Sequence, residues 1–237
     1  MTRFLVTGPD DAPALLLAHG AGAAMDSAWM DDMAARLAAR GIRVVRFEFA
    51  YMAARRTGSR PPVPRADRVL DEYRSAWEEA GRPALIGGKS YGGRVASMVA
   101  DGLRAGGAGD AGAGGVGEGG VGEGGAGAGD VGESGGAGVH GLVCLGYPFH
   151  PAGRPEQPRT AHLEHLATPA LVCQGERDPM GTPDDVAGYA LSPAIAFSWA
   201  PDGDHDLRPR AASGRTRAQN LDAAADAVAA FAHALAD

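Results

Sequence analysis

The chain has 237 residues, a formal net charge of −7 and 45% hydrophobic residues. An acidic balance gives no basic footprint for nucleic acid, and this apolar content permits a sizeable core. No apolar run approaches membrane-spanning length, and the first residues reach Gly8-Pro9-Asp10 before a signal-peptide core can form; no membrane association and a cytoplasmic location are therefore expected.

Taken in order, Ala14 to Ala18 is a continuous apolar run of strand length, the pattern of a strand covered on both faces. It enters His19-Gly20-Ala21-Gly22, a turn suited to offering a backbone amide, that of Ala21, to an oxyanion. Asp26 or Ser27 then caps a helix in which Met30, Met33 and Leu37 recur at helical spacing before Gly41. Ile42 to Phe49 reads as the next strand and is followed by Tyr51-Met52 and a surface loop rich in arginine and proline. Residues 65–80 place Val69, Tyr73, Ala76 and Trp77 on one helical face.

Pro83 to Val95 is the stretch around which the rest is arranged. A short strand, Ala84-Leu85-Ile86, meets Gly88-Lys89-Ser90-Tyr91-Gly92, and a helical segment follows: a G-x-S-x-G elbow in strand-turn-helix context, with Ser90 as the exposed nucleophile and the Tyr91 amide as a second oxyanion donor. Gly88-Lys89-Ser90 is also the tail of a phosphate-binding loop, but that motif requires glycine where Pro83 stands, and it requires a loop where Ala84 to Ile86 are strand-like. Of 22 basic residues Lys89 is the only lysine, which suggests that a compact ammonium is wanted beside Ser90, in contact with substrate; chance placement is the other reading.

Residues 105–138 are almost wholly Gly, Ala, Val, Asp and Glu, with Val-Gly-Glu-Gly-Gly repeated at 116–120 and 121–125. Such a segment cannot build a core and is read as a disordered insertion within one domain covering 1–237. Gly141 to Gly146 resumes as a buried strand and leads to Tyr147-Pro148-Phe149, whose aromatics either line a substrate pocket, with Tyr147 foremost, or pack the loop. His162 and His165 lack a third ligand, Cys144 and Cys173 lie in apolar runs, and neither metal nor organic cofactor is expected. Two further strands, Ala170 to Gln174 and Ala194 to Ala200, end in Glu176-Arg177-Asp178 and Asp202-Gly203-Asp204-His205. An amphipathic C-terminal helix carries Leu221, Val228 and Phe231.

Alternating strands and helices imply a three-layer α/β fold with a mostly parallel, doubly wound sheet, whose sites lie at the carboxyl ends of the strands. Ser90, Asp178 and His205 fall at such ends, in the order nucleophile, acid, histidine. Asp202 and Asp204 are the alternative acids, being nearer His205 in sequence.

These residues resemble the α/β-hydrolase superfamily, in particular the small capless dienelactone-hydrolase-like branch that includes the testis-expressed and NSL-complex-subunit relatives. The likeness rests on Leu17-Ala18-His19-Gly20-Ala21-Gly22, Gly87-Gly88-Lys89-Ser90-Tyr91-Gly92-Gly93-Arg94, Gln174-Gly175-Glu176-Arg177-Asp178-Pro179 and Asp202-Gly203-Asp204-His205. It implies a serine-hydrolase scaffold without a cap but no particular substrate; a small acyl substrate, with His19 beside it, is expected on that scaffold. The alternative is a binding or scaffold protein on the same fold, with protein partners that the motifs leave open.

Overall fold

The computed structural model describes residues 2–106 and 138–235. Seven strands form one sheet in the order β1-β3-β2-β4-β5-β6-β7. They are β1 (Phe4–Thr7), β2 (Ala14–Ala18), β3 (Arg43–Phe47), β4 (Leu85–Lys89), β5 (Gly141–Leu145), β6 (Ala170–Gly175) and β7 (Ile195–Ala200). All pairings are parallel except that of β1 with β3.

Side chains alternate across a strand, so each apolar run supplies both faces. Leu15 and Leu17 of β2 join Val44, Leu85, Val143 and Leu171 against α1 (Ala28–Ala38) and α6 (Arg217–Ala234). Leu16 and Ala18 point the other way, with Phe47, Ile86, Leu142 and Val172, against α3 (Leu70–Glu79) and α4 (Tyr91–Gly106). The result is the expected three-layer α/β sandwich. Among the described residues no separate cap covers the strand ends.

Several elements differ from the sequence reading. β1 is a short edge strand that the reading did not assign, and Ala50–Arg56, read as the start of a loop, forms helix α2. Its N-cap, Phe49, makes no side-chain cap bond, so no capping residue marks the start of this helix. Ser27 precedes α1 but likewise makes no side-chain cap bond, whereas Thr216 and Gln219 form a reciprocal capping box on α6. A second capping box, Thr182 with Asp185, opens the short helix α5 (Pro183–Ala187).

The glycine-rich insertion read over 105–138 lies, from 107 to 137, outside the described residues. Its flanks are defined: α4 extends through Ala105 and Gly106, and the Val139 amide donates to the Leu103 carbonyl at 3.4 Å. The chain thus leaves and re-enters the domain at adjacent points. We propose that 107–137 is dispensable for folding, since the closure entropy of a loop rises only by about 0.6 kcal/mol per doubling of length. A short Gly-Ser linker in its place is expected to leave solubility and melting temperature unchanged in a thermal scan.

Candidate active site

The elbow is built by close backbone approach. Ser90 follows β4 directly and has φ +51°, the left-handed conformation that a side chain adopts only at a cost. Its amide donates to the Leu145 carbonyl at 2.9 Å, and its carbonyl accepts from Arg94 one turn into α4. A Cβ on Gly88 would stand 2.3 Å from the Gly92 carbonyl carbon, and one on Gly92 would stand 2.6 Å from the His19 oxygen. Strand, turn and helix are therefore too close for any residue but glycine at these two positions.

The Ser90 hydroxyl meets His205 Nε2 at 2.8 Å, and His205 Nδ1 meets Asp178 Oδ2 at 2.7 Å. Asp178 lies in the turn after β6 and is fully buried. Its Oδ1 accepts the Met180 amide at 2.9 Å, and its Oδ2 accepts Gln174 Nε2 at 2.9 Å as well as His205. A buried carboxylate is tolerable only when its lone pairs are satisfied in this way. Asp202 and Asp204 do not face the imidazole. Asp202 binds Arg210 and Arg177, while Asp204 accepts the amides of Asp206 and Arg208.

The loop holding His205 is fixed from several sides. Asp202 and Leu207 both have positive φ, at +52° and +61°. A Cβ on Gly175 would stand 2.3 Å from the Asp204 oxygen, so the loop rests directly on the end of β6. Asn220 Nδ2 donates to the Leu207 carbonyl at 2.9 Å, Trp29 Nε1 to the Asp206 carbonyl at 3.1 Å, and Lys89 Nζ to the His205 carbonyl at 2.6 Å. The ammonium also lies 3.3 Å from Asp206 and 5.2 Å from the centroid of the Trp29 ring. Burial lowers the Lys89 pKa, and the nearby Asp206 carboxylate opposes that shift.

Three residues read as substrate-binding have other surroundings. His19 is wholly buried; its Nε2 accepts the Phe49 amide at 3.2 Å while Nδ1 lies 2.7 Å from the Gly20 carbonyl. Burial lowers its pKa, and a neutral ring with Nδ1–H satisfies both bonds, tying the turn after β2 to the end of β3. Tyr147 is equally buried: its hydroxyl donates to the Arg159 carbonyl at 3.1 Å and its amide to Gln174 Oε1 at 2.7 Å. Lys89 does line a small cleft, but its ammonium is engaged behind the histidine. Gln174 and Asn220, which sequence reasoning did not single out, brace the carboxylate and the histidine loop instead. Gln174 opens the stretch Gln174-Gly175-Glu176-Arg177-Asp178-Pro179, which gave it no role of its own, and no local motif marks Asn220.

Two clefts meet at Ser90. The larger, of about 660 Å³, is lined by Ala21, Val63, Tyr91, Arg94, Pro148 and Arg159 among others. The smaller, of about 280 Å³, runs along Gly20 to Ala23, Trp29, Met30 and His205. Ala21 and Ser90 belong to both. The Tyr91 amide opens α4 and has no acceptor within the helix, so an anion beside Ser90 would meet both this donor and the positive end of the helix dipole. Among the described residues no cluster of three or more metal-ligating side chains occurs, and no helix is long and apolar enough to cross a membrane.

The chain matches the alpha/beta hydrolase domain family over residues 11–114 and 119–233 and belongs to that family. No curated protein matches it. Among solved structures it is similar to dienelactone hydrolase from Anabaena variabilis, with a TM-score of 0.63 at 16% identity over 97% of this chain and 89% of that one. A serine hydrolase without a lid from Xanthomonas campestris aligns with a TM-score of 0.61 at 18% identity over 96% of this chain and 88% of that one. The esterase domain of a Rhodothermus marinus protein aligns at 0.56 and 15% identity over 98% and 91%. At these identities the likeness establishes the fold, that of the capless α/β hydrolases.

Proposed function

We propose that this α/β hydrolase cleaves a carboxylic ester or other activated acyl compound through Ser90, His205 and Asp178. The observation that carries the reading is the unbroken hydrogen-bonded series from Ser90 Oγ through the imidazole to a buried carboxylate, at 2.8 and 2.7 Å. Asp178 accepts a hydrogen bond from Nδ1–H and so holds the proton on that nitrogen, which leaves the Nε2 lone pair facing the hydroxyl. As Ser90 Oγ attacks the carbonyl carbon, His205 accepts its proton. The tetrahedral oxyanion forms beside the amides of Ala21 and Tyr91. When the intermediate collapses, His205 returns the proton to the departing alcohol, leaving an acyl-serine that water hydrolyses by the same steps.

The two clefts meeting at Ser90 give the acyl chain and the leaving group separate places. Rapid mixing with 4-nitrophenyl acetate tests the reading. An acyl-enzyme route yields nitrophenolate in a burst equal to the enzyme concentration where deacylation is the slower step, with acetyl recovered on Ser90. A folded protein that releases no nitrophenolate above background and carries no acetyl would instead be a binding protein on this fold.

Lys89 acts in this scheme as a positioning residue, holding the backbone of His205 rather than touching substrate. Lys89→Met keeps the buried stem and removes the donor. It is expected to lower kcat by about 10–100-fold with little change in KM, the cost of a small displacement of the general base. Steady-state kinetics against a fixed ester separates the two parameters.

A further inference from the structure

Most half-buried arginines of this chain have an acidic partner: Arg36 pairs with Asp32 and Asp222, Arg40 with Asp226, Arg177 with Asp202 and Arg217 with Asp32. Arg94 and Arg159 are exceptions. Neither forms an ion pair among the described residues, and Arg94 Nε is buried without a hydrogen-bond partner. Both side chains line the larger cleft beside Ser90, where Arg65 is already matched to Asp67. Leaving a guanidinium fork partly desolvated and unpaired is costly unless something completes it.

The two charges sense each other and their surroundings. Burial lowers the Arg159 pKa, and Arg94 lowers it further. Beside them His162, whose Nε2 lies 2.8 Å from Ser97 Oγ and 3.4 Å from the Tyr147 hydroxyl, is held neutral, its pKa depressed to about 4 by burial and by Arg94. A pair of planar, permanently charged forks facing one cleft suits an oxyanion that both can grip.

We infer that Arg94 and Arg159 form an anion-binding subsite in the larger cleft, so that the substrate cleaved at Ser90 carries a carboxylate or phosphate on the part that lies there. The subsite stands on the arginine geometry alone; its use for substrate rests on the hydrolase reading above. The anion neutralises charges that the chain leaves unmatched and fixes which end of the substrate enters this cleft.

The test has a binding arm and a kinetic arm on the full chain. Glutarate and inorganic phosphate are titrated separately into protein labelled with ¹⁵N-histidine while the His162 resonances are followed. One or both anions are expected to shift them saturably, and the anion that binds identifies the charged group. Arg159→Gln, which removes one fork but leaves the Arg94 charge beside His162, is expected to weaken that binding about tenfold or more. In the kinetic arm, 4-nitrophenyl hemiglutarate is compared with 4-nitrophenyl valerate, and 1-acetylglycerol 3-phosphate with 1-acetylglycerol.

At least one charged member is expected to be preferred about tenfold or more in kcat/KM, with the preference falling to about one in Arg159→Gln. The inference is overturned if neither anion gives a saturable shift, or if the esters are turned over and no charged one is preferred over its neutral partner. It is equally overturned if the preference survives Arg159→Gln in protein with the wild-type melting temperature. Saturable binding with no turnover of any of the four esters would retain the subsite and remove the hydrolase reading, while turnover of the neutral esters without anion binding would do the reverse.

Discussion

Ser90→Ala is expected to reduce ester turnover by about 10⁶-fold, the scale seen when a serine nucleophile that works as a unit with its base is removed. The alanine methyl occupies the same elbow, so the amides of Ala21 and Tyr91 and both clefts persist, and the residue left behind keeps only their modest effect on a water-driven reaction. The fold is expected to be unharmed. Ser90 contributes one amide bond, to Leu145, that alanine retains, and the positive φ of +51° burdens either side chain alike. The backbone strain at this position brings the hydroxyl to His205; it does not stabilise the domain. Parallel melting curves and ester kinetics on the two proteins check both halves of the expectation.

Asp178→Asn is expected to lower turnover by about 10⁴-fold and, unlike Ser90→Ala, to destabilise the protein by about 1–3 kcal/mol. Its two carboxylate oxygens accept from three donors: the Met180 amide, Gln174 Nε2 and His205 Nδ1. An asparagine placed with its oxygen toward His205 and Gln174 sets its NH₂ against the Met180 N–H. Placed the other way, its NH₂ opposes Gln174 and can satisfy only an imidazole that has surrendered its Nδ1 proton, the tautomer with the proton on the wrong nitrogen for base catalysis. Either orientation puts a donor against a donor in a buried site. Urea denaturation and kcat/KM measured on the same preparation separate the stability loss from the loss of catalysis.

Much of the scaffold was legible because it rests on local pattern. Ala14 to Ala18 coincides with β2, and the apolar runs ending near Lys89, Leu145, Gly175 and Ala200 are the strands whose carboxyl ends carry the site residues. The chain order of Ser90, Asp178 and His205 then placed them on one rim of the sheet. Residues whose part depends on tertiary approach were not legible. Gln174 sits in a strand like any other polar residue until the turn after β6 folds Asp178 onto it, and Asn220 lies in a helix whose apolar pattern says nothing of the Leu207 carbonyl.

His19 shows the converse error. It was expected beside the substrate, yet total burial and bonds to Phe49 and Gly20 make it a backbone brace. Helix α2 escaped notice because its arginines and the prolines that follow read as loop composition, while what ties it down, Tyr51 and Met52 in the core, comprises only two side chains. The lone lysine was marked by composition as unusual, but only its distance to the His205 carbonyl gives it a place in the site.

The most direct measurement is mass-spectrometric mapping of the adduct formed with a fluorophosphonate, which reacts with a serine only where an imidazole withdraws its proton and donors receive the developing oxyanion. One phosphonyl group per chain, carried by Ser90, formed markedly more slowly in Asp178→Asn and lacking in Ser90→Ala, is the predicted outcome. A natively folded protein that remains unlabelled, or that carries the adduct on another residue, would contradict the account.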